Sequence, residues 1–235
     1  MEWKTDALVL RAVDYGENDR MLTLFTAARG KIGAGCKGVR RAGAKLKFAA
    51  QPFCFAEFVL AERGGRHTVT GASLYDGFYS LREDISAYYA GIAVLEACDG
   101  LLYEGMESAK LFVNAVSALA NLSEGEGAPA LVKFLLEALR LAGWPVQADG
   151  CGVCGKPLSG RMAFDMERGS FVCPDCCKDA SPASESTYLA IRAAQGAGEG
   201  TPDGYKRALR LLGAYFYYHT EKEIPALSEY LKLIG

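Results

Sequence analysis

The chain has 235 residues, half of them hydrophobic and 23% charged, with a formal net charge of −2. That is apolar material for one large core or two small ones, and it excludes a disordered or low-complexity chain. The opening Met1-Glu2-Trp3-Lys4-Thr5-Asp6 carries acids where a secretion signal needs none, and no apolar run approaches the roughly eighteen residues of a membrane span, so a cytoplasmic protein without a membrane partner is expected.

In chain order, five runs rich in Val, Leu, Phe and Thr come first, at 5–13, 21–26, 31–39, 52–62 and 66–73. Asp14-Tyr15-Gly16, Arg29-Gly30, Gly43 and Gly64-Gly65 break them with turn chemistry. Five strands in about eighty residues predict a small closed barrel of the OB type, because a sandwich usually needs more strands. After Tyr79 the period changes. Segments 84–103, 107–122, 130–142, 186–194 and 203–219 place apolar residues three and four apart and end on Gly or Pro, which predicts helices. The expected architecture is α+β and multidomain. A five-stranded OB-fold barrel occupies 1–80, and an all-helical domain follows at 81–235, interrupted by a cysteine-rich insert at 148–180.

That insert contains Cys151-Gly-Val-Cys154, eighteen further residues, and then Cys173-Pro-Asp-Cys176. Two C-x-x-C pairs at this spacing form a four-cysteine zinc-finger pattern, in which each turn presents two sulfurs and a hairpin brings the pairs together. The competing readings are a redox dithiol and plain buried cysteines. Cys177 offers a rival thiolate, although the two-residue gap favours Cys176. Catalytic zinc keeps one position open for water, whereas four thiolates close the shell, so one structural zinc per chain is expected. Cys36, Cys54 and Cys98 stand apart from the cluster and read as small buried hydrophobes.

Charge is segregated. Residues 1–66 hold twelve Lys/Arg against seven Asp/Glu, and residues 20–56 contain eight bases and no acid. A charge run can be merely a solvated face, but this one is interleaved with Ile32, Val39, Leu46 and Phe48 on expected strands and suits a polyanion. Lys37, Arg40, Arg41, Lys45 and Lys47 are the candidate DNA-binding residues. Gly33-Ala-Gly-Cys-Lys-Gly38 satisfies G-x-G-x-x-G, with Glu57 or Glu62 at the distance of a ribose-binding acid, yet it lacks the strand-to-helix context of a dinucleotide site. Phosphate-binding, zinc-protease and serine-hydrolase motifs are missing, and His67 and His219 are the only histidines. His219 reads as a core-edge residue, and Tyr215-Phe-Tyr-Tyr218 as packing. A binding protein is therefore expected, not an enzyme, and no catalytic residues are assigned.

The residues themselves are familiar. Thr5-Asp-Ala-Leu-Val-Leu-Arg11, Tyr15-Gly-Glu-Asn-Asp-Arg20, Leu22-Thr-Leu-Phe-Thr26 and Gly30-Lys31 through Lys37-Gly-Val-Arg-Arg41 resemble the opening of the RecO family. Leu139-Arg-Leu-Ala-Gly-Trp-Pro145, running into Cys151-Gly-Val-Cys-Gly155, resembles that family's helix and first zinc half. Tyr217-Tyr-His219 before a short last helix also fits. The resemblance implies a DNA repair and recombination mediator that binds single- and double-stranded DNA, anneals complementary strands coated with single-strand-binding protein and, with RecR, helps load RecA. It carries Lys37, Arg40 and Arg41 over as the basic block and Cys151, Cys154, Cys173 and Cys176 as zinc ligands. It also implies a helical-domain pocket for the acidic, Phe-ended C-terminal tail of single-strand-binding protein, for which Lys206, Arg207 and Arg210 are candidates and a solvated helix face is the plainer reading. Two other classes share part of the pattern. A zinc-ribbon transcription or translation factor would bind duplex or ribosomal RNA without annealing, and an oxidoreductase would bind a nicotinamide or flavin.

Overall fold

A computed structural model describes residues 2–177 and 180–235. Five strands, β1 (Glu2–Tyr15), β2 (Asp19–Thr26), β3 (Gly30–Cys36), β4 (Phe55–Arg63) and β5 (Arg66–Asp76), close into a barrel in the order β1-β2-β3-β5-β4. One long strand makes closure possible. The first half of β1 pairs antiparallel with β4 from Glu2 to Leu8, and its second half pairs with β2 from Ala7 to Tyr15, with a register shift between Val9 and Arg11. Such an irregularity bends a strand, so a single β1 serves both neighbours. The last gap is closed by a short parallel contact of Ala34 and Gly35 with His67 and Thr68.

Along β3 and β4 every second side chain points inward. Val9, Leu22, Leu24, Ile32, Phe58, Leu60 and Val69 fill the barrel. Two helices follow, α1 (Ile85–Leu101) and α2 (Ala109–Ser123). The Phe112 ring of α2 meets Phe25 and Phe55 edge-on at 5.2 and 5.9 Å, and Lys31 of β3 pairs with Asp99 of α1 at 3.0 Å. The change of period at residue 80 and the limit of packing are therefore different boundaries. By contacts the first compact unit runs Met1–Ser123 and the second Glu124–Gly235.

The second unit packs α3 (Ala128–Leu141), α4 (Glu185–Ala194), α5 (Pro202–Thr220) and α6 (Pro225–Leu233). Leu131, Phe134, Leu135, Leu139, Ile191, Leu209, Leu212 and Phe216 are buried at its centre. The cysteine insert forms a small sheet of β6 (Met162–Asp165), β7 (Ser170–Val172) and β8 (Ser181–Ala183) in the order β7-β6-β8. Phe164 meets Tyr215 at 5.4 Å, and Phe171 meets Tyr188 at 5.1 Å. These two rings fasten the insert to α4 and α5. The helices are thus interrupted by a cysteine insert, as expected, and its hairpin is joined by a third short strand, β8. Of the expected aromatic packing at 215–218, Tyr215 and Phe216 are buried while Tyr217 and Tyr218 are exposed. His219 lies flat on Trp144, 4.7 Å between centroids, and burial lowers its pKa.

Candidate metal centre and nucleic-acid interface

Each C-x-x-C pair sits on a backbone turn. Gly155 donates to the Cys151 carbonyl at 2.8 Å and Cys176 to the Cys173 carbonyl at 3.0 Å. Gly155 has a φ of +71°, which a side chain would strain. Gly152 is needed for a different reason: a β-carbon there would strike the Ser170 side chain of β7. The β6–β7 hairpin brings the second turn back to the first, as the spacing predicts. The sulfurs of Cys151, Cys154, Cys173 and Cys176 all lie within 4.8 Å of one another, close enough to ligate one metal ion.

The four sites differ in burial. Cys151 and Cys173 are buried, Cys176 is partly covered and Cys154 is exposed. Burial works to raise the Cys151 thiol, but amides of Cys173, Cys154 and Val153 aimed at its sulfur outweigh it and hold the pKa at about 6. One sulfur of the set is thus ready to be a thiolate. Hydrogen bonding with Cys173 and Cys154, followed by burial and Cys151, pushes the Cys176 thiol up to about 12. Cys177 lies outside the group and donates instead to the Ala180 carbonyl at 3.8 Å. Burial drives Cys36 up to about 11 and Cys54 to about 12, and raises Cys98, so these three are inert core residues.

The basic segment takes a form that local pattern does not predict. Strand β3 stops at Cys36, and 37–54 is a loop of turns with one short 3-10 turn, Phe48–Ala50. Val39, Leu46 and Phe48 are therefore loop anchors and not strand residues. Val39, Ala49 and Ala50 are buried in the barrel core, with Leu46 and Phe48 partly covered against it. Lys37, Arg40, Arg41, Lys45 and Lys47 are all exposed. The anchors fix the loop and leave its cations in solvent.

Freedom from acids along the sequence does not carry over to space. The β1–β2 turn brings Asp14 to Arg20 at 2.9 Å and to Arg40 at 3.2 Å, and Asp19 accepts from the Gly38 amide at 2.7 Å. Lys37, Arg41, Lys45 and Lys47 form no ion pair among the described residues. Gly33 to Cys36 lie inside β3, paired with β2, and a turn follows, so the G-x-G-x-x-G segment is no strand-to-helix phosphate loop.

Beside the loop is a cavity of about 570 Å³ in the first unit, lined by Arg20, Arg40, Lys47, Arg82, Phe53 and Tyr88 among others. Sequence reasoning passed over Arg82 and Tyr88, which lie beyond the basic run, and no local motif marks them. In the second unit Arg207 is paired with Asp203 at 2.6 Å, and Lys206 lines a cavity of about 620 Å³ with Pro129, Pro202, Tyr205, Tyr230 and Ile234. No helix among the described residues is long and apolar enough to cross a membrane.

Comparison with known proteins bears on the whole length. Residues 1–78 match the family model for the recombination protein O N terminal region, and residues 82–228 that for the C terminal region. The chain is 31% identical over 240 residues to the DNA repair protein RecO of Myxococcus xanthus, covering 98% of this chain and 97% of that one. It is 33% identical over 243 residues to the protein of the same name from a Nocardioides species, covering 97% and 98%. Two family models that together cover most of the chain, and relatives above 30% identity over nearly all of its length, show that this chain belongs to the RecO family.

Proposed function

We propose that the protein is a non-enzymatic DNA repair and recombination mediator that binds single- and double-stranded DNA through the barrel region, 1–80. The observation that carries this reading is the set of exposed cations Lys37, Arg41, Lys45 and Lys47, which form no ion pair among the described residues, on a loop anchored into a closed barrel. Neutralising phosphates on two strands lowers their repulsion and raises the encounter rate, so annealing needs neither nucleotide hydrolysis nor a catalytic base. Backbone contacts leave base edges free to pair.

The partners proposed are RecR, in loading RecA, and the C-terminal tail of single-strand-binding protein. An acidic tail ending in Phe suits the cavity by Lys206, which offers Tyr205 and Tyr230 for the ring and an ammonium for a carboxylate. The metal proposed is zinc in a structural role, held by Cys151, Cys154, Cys173 and Cys176. A tetrahedron with Zn–S bonds of about 2.3 Å needs sulfurs about 3.8 Å apart. Cys154 and Cys173 stand at 3.8 Å.

A fluorescence annealing assay with complementary oligonucleotides coated by single-strand-binding protein, run without ATP, tests the reading. Acceleration that disappears with a tail-deleted coating protein is the expected result. No acceleration over the spontaneous rate at low salt, or a requirement for ATP, overturns it.

A further inference from the structure

Arg82 is the last residue of a short 3-10 turn, Tyr79–Arg82, between the barrel and α1. Its guanidinium donates to two backbone carbonyls, Gly77 at 2.6 Å and Pro52 at 2.7 Å. Each of these carbonyls belongs to the residue just before a left-handed phenylalanine: Phe53 has φ +69° and Phe78 has φ +43°. Non-glycine residues rarely adopt this region, and such strain persists where surrounding structure enforces it, often at ligand sites. Arg82 also lies 5.2 Å from the ring centroids of both Phe53 and Tyr79. A half-buried cation is thus held by neutral groups alone, and no ion pair to it is found among the described residues.

The cavity it lines has a composition that the exposed loop lacks. Arg20, Arg40 and Lys47 join Arg82 on its wall, and no acidic side chain does. Asp14 holds Arg20 and Arg40, so two of the four charges are partly offset; Lys47 and Arg82 are not. Tyr88 of α1 supplies an aromatic wall, with its ring edge-on to Phe53 at 5.7 Å. Cations beside a partly exposed ring, in a space of about 570 Å³, are the elements of a site for one nucleotide: phosphate on the charges, base on the ring.

We propose that this cleft is a single-nucleotide subsite selective for unpaired DNA, taking a backbone phosphate at Lys47 and Arg82 and stacking its base on Tyr88. The inference rests on the DNA-binding reading above and adds to it a basis for telling single from double strands. Phosphates on the outer loop are reached equally well in either form. A base in a duplex is held by pairing and stacking on both sides and reaches Tyr88 only if it is pulled out of the helix, at a cost of a few kcal/mol. Arg82 is a positioning residue as well as a ligand, because it also clamps the two strained segments. Its replacement would confound folding with binding, so the test rests on Tyr88.

Full-length protein is titrated against fluorescent dT12 and against a 12-base-pair duplex, as wild type, Tyr88→Leu and Arg41→Ala. Tyr88→Leu is expected to weaken dT12 binding about tenfold, the range of one lost base–aromatic stack, and to leave duplex binding within about twofold. Arg41→Ala weakens both forms alike. Wild-type protein is also photo-crosslinked to dT12 carrying one 5-iododeoxyuridine, and the expected adduct is on the peptide containing Tyr88. This second readout stands even if the variant folds poorly. Equal effects of Tyr88→Leu on the two DNA forms, or adducts confined to other peptides, overturn the subsite while leaving DNA binding intact. Wild-type protein that binds neither DNA form overturns both readings.

Discussion

The basic loop at 37–54 and the cysteine insert at 148–180 are both poor in regular structure, yet they are held by different means. The loop inserts Val39, Ala49 and Ala50 into the barrel core and is tied by backbone bonds such as Arg40 to Asn18. Its order comes from many small contributions. The insert buries Phe164, Phe171 and Val172, and its two C-x-x-C turns converge on the four sulfurs. Its order is concentrated at one point. Where stabilisation is spread out, a single substitution weakens the element; where it is concentrated, a single substitution releases it.

The largest effect is therefore expected at the sulfurs. Cys173→Ser should abolish stoichiometric zinc and lower the stability of the second unit by several kcal/mol, because binding energy at a closed thiolate site is folding energy. Metal analysis with calorimetry checks this; a variant that keeps both its metal and its melting temperature would show that Cys173 is not a ligand, and one that loses the metal but keeps its melting temperature that the insert is held by packing. The matching change in the loop is Val39→Ala. Removing two buried methyl groups should cost about 2 kcal/mol and leave a cooperative fold, measured by denaturant unfolding.

A smaller effect separates two adjacent arginines. Arg40 is tied to Asp14 and to the Gly16 carbonyl, whereas Arg41 forms no ion pair among the described residues. Arg41→Ala should therefore reduce the salt dependence of DNA binding by about one unit of slope per phosphate contact, and Arg40→Ala by less. Equal slopes for the two variants would show that the Asp14 pair opens on binding.

The smallest effect is one of pH. Burial lowers the His219 pKa from its ordinary 6.5, so the unfolded chain takes up the proton more readily than the folded one. The contribution is complete above 6.5 and is lost as pH falls through the folded value. Melting of the second unit should shift down between neutral pH and pH 5.5 in wild type, and by less in His219→Phe, in which the stack on Trp144 survives without a titrating ring.

Much of the barrel could be read from residue order alone, because alternation of apolar side chains is a local property and turn residues such as Gly16, Gly30 and Gly64 act on their own backbone. The four-cysteine cluster was equally legible, since two C-x-x-C turns joined by a hairpin are a local pattern. Local pattern failed at Val39, where an apolar residue between bases looks the same on a strand as on a loop that plugs a barrel. It failed again at β1, whose polar ends, Glu2 and Tyr15, are held in the sheet by backbone pairing with β4 and β2, which side-chain pattern does not report. Only the tertiary structure brought Asp14 to Arg20 and Arg40, closed the cleft with Arg82 and Tyr88, and joined α1 and α2 to the barrel's unit. Charge and cavity depend on distance in space, and residues far apart in order become neighbours only when the chain has folded.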